Sequence, residues 1–249
     1  DSIKKNWDRD ALTDYKGCTL QYKDVARRIE KLHIMFREVG IEPGDKISLC
    51  GRNSSNWGVA FLAIMTYGAV PVPILHEFKA DNVHNIINHS DSKLAFIGES
   101  NWENLNEDEI PNVLGVIQME DYDILISRNE KLTYAREHLN ELFGKRFPNR
   151  FEKSMIGYYH NNQPDELAII NYTSGSTGFS KGVMIPYRAV TNNMEFAEHA
   201  LNLKAGMTIV SMLPMAHMYG MAFEFLYELT IGMHINFLTR VPSPKLIFQ

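Results

Sequence analysis

An alternation of two hydrophobic periods runs through the chain and narrows the folds open to it. Val25, Ile29, Leu32, Phe36 and Val39 step by four and three residues, one stripe along a helix. Gly40 suits the end of that helix. "EPGD" (42–45) is a turn, and "KISLC" (46–50) is a short apolar run of strand type. Asn53, Ser54 or Ser55 can cap a following helix that buries Trp57, Phe61 and Ile64. "AVPVPI" then reads as a strand, and its two prolines put it at an edge or a bulge.

The same rhythm continues. "DNVHNIINH" predicts a helix capped by Asp81, "KLAFI" a strand, and "NVLGVIQM" another strand ending near Met119. Residues 127–153 differ, with eleven charged side chains among 27, and predict a solvated helix over 133–143 with flanking loops. Beyond them come the strands "ELAIINYT" and "GVMI", a helix from about Arg188 to Leu201, the strand "TIVSML", a helix over "MAFEFLYEL" and the strand "MHINFL". Alternation of this kind implies an α/β fold of largely parallel sheets flanked by helices.

Charge and cysteine content remove several classes of function. Thirty acidic residues against 25 basic give a net charge of −5, which offers nothing to nucleic acid. Cys18 and Cys50 are too few for a disulfide framework and fit a reduced, cytoplasmic setting, although a single bridge stays open. The opening "DSIKKNWDRD" is polar and is not a secretory signal. Residues 53–75 carry no charge, but prolines and glycines interrupt them. They read as a buried helix and strand rather than a membrane span, and peripheral membrane contact stays compatible. "HEFKA" (76–80) starts like a zinc-protease helix but has Ala80 where the second His belongs, and His84 and His89 are badly spaced for one helical face.

The chemistry concentrates in "TSGSTGFSKG" (173–182). The loop follows a strand. Gly175, Gly178 and Gly182 allow close backbone approach, successive N–H groups can form an anion nest, and Thr173, Ser174, Ser176 and Thr177 add hydroxyls. Lys181 adds a positive charge suited to phosphate. A Walker loop is excluded, because the fifth residue after Gly175 is Ser180 and Lys181 is followed by Gly182. The Gly-x-Ser-x-Gly elbow and the dinucleotide fingerprint fail on glycine spacing. Taken by itself, a loop of this composition is also compatible with a flexible surface turn.

The longer string "YTSGSTGFSKGV" (172–183) resembles the phosphate-loop signature of the adenylate-forming superfamily, with Ser180 where Pro is usual. "TLQYKDVARRIEKL", "GDKISLCGRNSSNW", "FLAIMTYGAVPVPI" and "LPMAHMYGMAFE" are similar to further blocks of that family in the same order, and the whole string looks most like the bacterial long-chain fatty acid–CoA ligases. The resemblance implies an enzyme that uses ATP, Mg²⁺ and coenzyme A to convert a fatty acid to its acyl-adenylate and then its thioester. It places Thr173 near Mg²⁺, and Ser174, Gly175, Ser176, Thr177, Gly178, Lys181 and Gly182 around the phosphates. It places His217 beside the adenylate, with His217 and Lys181 as the catalytic pair. It also implies that residues 1–249 are an incomplete N-terminal AMP-binding domain, since the later family landmarks are missing and "KLIFQ" ends mid-pattern. A short non-catalytic nucleotide- or partner-binding protein is the other reading.

Two features bear on the acid. Amino-acid-activating relatives carry an Asp around "AHMYG", whereas no acidic residue lies between Thr208 and Phe223 here. Methionines at 207, 212, 215, 218 and 221 read mostly as core filling, and one or two of them lining an acyl pocket would fit a fatty acid or another apolar acid.

Overall fold

The computed structural model describes residues 1–158, 163–173 and 180–238. Its elements follow the alternation, with two additions at the start. A short helix α1 (Ser2–Lys5) precedes β1 (Asp10–Asp14) and β2 (Thr19–Gln21), none of which the apolar pattern announces. The predicted stripe then forms α2 (Tyr22–Val39), its five apolar residues all buried. Gly40 ends it in the left-handed conformation (φ 86°), where a side chain would be strained.

β3 (Lys46–Cys50) leads to α3 (Ser55–Tyr67), capped by Ser54, whose hydroxyl accepts from the Trp57 N–H. β4 (Val70–Ile74) follows, then α4 (Ala80–His89), β5 (Leu94–Ile97), α5 (Glu99–Trp102) and β6 (Gly115–Gln118). Residue 79, not Asp81, occupies the cap of α4. Asp81 lies inside the first turn, where its charge still favours the helix dipole. The charged stretch is also more divided than expected. A strand β7 (Ile124–Ser127) precedes it, and the single helix over 133–143 is two, α6 (Glu130–Glu137) and α7 (Leu139–Arg146). They break at His138, whose backbone N–H and ring Nδ1 both engage the Tyr134 carbonyl. The remainder comprises β8 (Leu167–Thr173), β9 (Lys181–Pro186), α8 (Tyr187–Ala200), β10 (Thr208–Ser211), α9 (Met218–Met221), one π turn (Ala222–Leu226), α10 (Tyr227–Ile231) and β11 (His234–Phe237).

Among the described residues three sheets form. The five-stranded one runs β4-β3-β5-β6-β7, parallel except at β6–β7, and β4 takes the edge its prolines require. The four-stranded one runs β10-β11-β1-β2, with β1, β10 and β11 parallel. β8 and β9 depart from the parallel expectation: they form an antiparallel hairpin, pairing Thr173 with Lys181.

Helices α2 and α3 lie between the two larger sheets and share one core with both. Leu12, Ile235 and Phe237 come from one sheet, and Ile47, Leu49 and Phe96 from the other. Trp57 stacks on Phe61 at 5.3 Å, and Phe225 meets both rings edge-on. Helix α4 covers the opposite face of the five-stranded sheet, and Ile170 and Tyr172 of the hairpin join that second cluster. The uncharged stretch 53–75 is thus α3 and β4, both packed inside. Among the described residues no helix is long and apolar enough to cross a membrane. Cys18 is exposed, Cys50 is buried and both are free thiols.

Candidate active site

The loop that the sequence singles out joins β8 to β9. Ser174, Gly175, Ser176, Thr177 and Gly178 lie outside the described residues, while Thr173 ends β8 and Lys181 and Gly182 open β9. Side chains alternate along β8, so Asn171 and Thr173 share one face, and Ile170 and Tyr172 the other. The two faces are anchored to different parts of the molecule.

On the inner face Tyr172 is buried, and its hydroxyl lies 2.7 Å from His89 Nδ1 at the end of α4. The rings meet at 85°. Burial, aided by Asp91, pushes the Tyr172 phenol above its ordinary pKa, so it remains a neutral hydroxyl. Gly182 sits opposite. A Cβ there would lie 3.0 Å from the Tyr172 ring and 3.1 Å from Ile170. Gly182 therefore serves close packing within the hairpin and does not adopt positive φ. His89 thus acquires a partner that its position in the sequence did not signal.

On the other face, buried Asn171 donates from Nδ2 to the Ala216 carbonyl at 2.8 Å. Ala216 immediately precedes His217. This bond joins the strand carrying Thr173 to the segment carrying His217, although 45 residues separate its two ends.

That segment, 211–217, has two further attachments. Asn53, just before the cap of α3, donates to the Leu213 carbonyl at 2.6 Å and accepts from the Met215 N–H at 2.8 Å. Glu224, within the π turn, accepts from the Met212 and Leu213 N–H groups at 2.7 and 2.8 Å through one carboxylate oxygen. Gly220 makes the return possible, because a Cβ there would lie 2.6 Å from the Pro214 carbonyl oxygen. His217 itself is exposed and caps α9, its Nδ1 accepting from the Tyr219 N–H at 3.3 Å. A neutral Nδ1 acceptor leaves Nε2 as the protonated nitrogen, a donor on the exposed edge of the ring.

Lys181 and Thr173 are exposed at the mouth of the hairpin. Among the described residues no group of three His, Cys, Asp or Glu is gathered to hold a metal. The Thr173 hydroxyl is a single hard oxygen donor, which fits a Mg²⁺ held mainly by phosphate oxygens and water rather than by a protein cage. Of the five methionines, Met215 and Met221 are buried in the core and Met207 and Met212 are exposed. Sequence reasoning named Asn53 only as a cap and passed over Asn171 and Glu224. The isolated acid at 224, after a long acid-free run, was the one visible signal.

A family model for AMP-binding enzyme matches residues 1–249. Long-chain-fatty-acid–CoA ligase 5 of Rattus norvegicus is 29% identical over 80% of this chain and 30% of its own length. 4-Chlorobenzoate–CoA ligase of an Arthrobacter species is 24% identical over 89% of this chain and 38% of its own. The chain therefore spans about a third of the length of these relatives. The solved structure of ATP-bound MatB from Rhodopseudomonas palustris shares the fold at a TM-score of 0.76 with 18% identity, covering 99% of this chain and 46% of that one.

Proposed function

The chain belongs to the AMP-binding enzyme family, and from that premise we propose that it is the first part of the large domain of an acid–CoA ligase. In the proposed reaction a carboxylate oxygen attacks the α-phosphorus of ATP and the bond to the bridging oxygen breaks. Pyrophosphate leaves and an acyl-adenylate remains. The thiolate of coenzyme A then attacks the acyl carbon, and AMP leaves with the former carboxylate oxygen.

The observation that carries this reading is the Asn171–Ala216 bond, which ties the base of the phosphate-loop hairpin to the His217 segment. In this reading Lys181 and the N–H and hydroxyl groups of residues 174–178 stabilise the departing pyrophosphate, with Gly182 packing the base of the loop. Thr173 would supply one oxygen to Mg²⁺, and the ion would supply positive charge against the phosphates. His217 orients the carboxylate and adenylate through its exposed Nε2–H.

Support for an apolar acid comes from the acid-free run 208–223. Glu224, the first carboxylate after it, already holds two backbone N–H groups and is a poor partner for a substrate ammonium. A fatty acid fits the methionines that the core does not consume. An aryl acid is the second reading, favoured by the relative named 4-chlorobenzoate–CoA ligase.

The domain is proposed to continue beyond this chain. Val183, Met184, Phe196, Val210 and Tyr219 expose apolar surface on β9, α8, β10 and α9, next to the site. The test is ATP–pyrophosphate exchange in the full-length protein that carries this segment. Exchange is expected only with a fatty acid present, and Lys181→Ala is expected to lower it about 100-fold or more. Exchange driven by benzoates instead moves the assignment to aryl acids. Exchange unaltered in the variant removes Lys181 from the phosphate role. The 249-residue chain alone is expected to show no turnover.

A further inference from the structure

Away from the hairpin, a cavity of about 450 Å³ opens between α2, the first turn of α3, the β6–β7 turn and the α6–α7 corner. That volume lies in the range of small-ligand sites. Three cations converge on it. Arg28 and Lys31 are three apart on α2, hence on one face of the helix, and Arg136 comes from α6.

The pairing of these groups is unequal. Arg136 is committed: Nε donates to the Tyr122 carbonyl at 3.0 Å, and its guanidinium pairs with Asp123. Arg28 and Lys31 hydrogen-bond to neutral amide oxygens, Asn56 Oδ1 at 2.7 Å and Asn140 Oδ1 at 2.8 Å; Lys31 also lies over the Phe143 ring, and the Asp14 carboxylate acts on Arg28 from a distance. Neither has a carboxylate within ion-pair distance among the described residues.

Glu120, Asp121 and Glu137 also line the cavity. The Glu120 carboxylate is taken up by the Glu99 N–H, and that of Asp121 by the Asp123 N–H. Glu137 is exposed at the rim. At Lys31 burial lowers the pKa first, and the charges that lower it further are Arg27, Arg28 and Arg136. The wall is held firmly for a surface hollow: Tyr122 sits at φ 62°, a costly conformation for an aromatic residue, and its hydroxyl donates to the Asn56 carbonyl at 2.6 Å.

We propose that this cavity binds the phosphate group of a small anion between Arg28 and Lys31. An anion there relieves the repulsion among the cations and takes up N–H donors that the amide oxygens leave spare. The site adjoins Asn56, three residues from the Asn53 clamp on the His217 segment, and does not rest on the proposed ligase activity.

Calorimetric titration of the full-length protein that carries this segment tests it at low ionic strength, with inorganic phosphate and ribose 5-phosphate as probes and chloride as the matched control. Saturable phosphate binding is expected that persists in Lys181→Ala, which disables the hairpin loop. It is expected to weaken about tenfold or more in Arg28→Gln/Lys31→Gln and to recover in Arg28→Lys/Lys31→Arg. Tighter binding of ribose 5-phosphate identifies a phosphate ester as the occupant, and equal binding identifies free phosphate. Lys31→Gln alone, which touches only Asn140 and the Phe143 ring, serves if the double variant does not fold. Absence of saturable binding overturns the proposal, as does binding unchanged by the glutamines or abolished by Lys181→Ala.

Discussion

Two side chains that touch no proposed substrate have measurable consequences. Asn171 bridges the hairpin to the Ala216 carbonyl. Asn171→Ala leaves that buried carbonyl unpaired and is expected to cost about 1–3 kcal/mol in urea unfolding, while Asn171→Asp, which opposes carboxylate to carbonyl, is expected to cost more. A variant as stable as the parent would show that the bond contributes nothing. Glu228 is fully buried, and neither carboxylate oxygen has a partner on another residue among the described residues. Burial, with Glu224 one turn away adding to it, raises its pKa from 4.5 to about 7. A pKa raised in the folded state means stability is complete below the unfolded value and is lost as pH climbs toward about 7. Glu228→Gln mimics the protonated form. It is expected to be more stable than the parent by about 2–3 kcal/mol near pH 8 and to match it near pH 4, read from urea midpoints across pH. Neither residue was legible from sequence, because an isolated Asn or Glu has no local signature of the partner or the burial that gives it meaning.

At the scale of elements, the segment 211–217 is held from three sides by Asn53, Asn171 and Glu224, and Gly220 lets the chain turn beneath it. Gly220→Ala forces a Cβ against the Pro214 oxygen, a backbone atom that cannot rotate away. The expected outcome is a loss of about 1–3 kcal/mol, with the amide signals of residues 213–217 displaced in nitrogen–proton spectra. Signals unmoved by the variant would argue against the packing described. Elements whose stabilisation is local were legible. α2 follows from its own stripe and Gly40, α3 from Ser54, and the edge position of β4 from its prolines. Elements defined by distant partners were not. β1 is "DALTD", with too little alternation to read as a strand, and it exists because β11 pairs with it. The break at His138 is invisible to a hydrophobic count, since it arises from one ring and one carbonyl. The hairpin is hidden among the strands of a parallel set because its connection, residues 174–180, is longer than the usual two-residue turn.

For the whole molecule, the apolar surface of β9, α8 and β10 predicts self-association of the isolated chain. Met184 is 69% exposed and Phe196 64%. Sedimentation velocity is expected to show concentration-dependent oligomers, reduced in Met184→Glu/Phe196→Glu. A monomer at all concentrations would contradict this. The fold class and the order of its blocks could be read from sequence because each block carries its own periodicity. The scaffold that positions His217 could not, since it joins residues 53, 171, 216 and 224. The layering also sets a timetable for synthesis. The five-stranded sheet is built from residues 46–127, so a ribosome completes it early and in one stretch. β1 leaves the ribosome before any of this but pairs in parallel with β11, more than 200 residues later. At ordinary translation speed that is a wait of roughly 10–45 s. Throughout it Ala11 and Leu12, which face opposite sides of β1 and are both buried in the finished fold, have no β11 beside them, and the nascent chain needs shelter there.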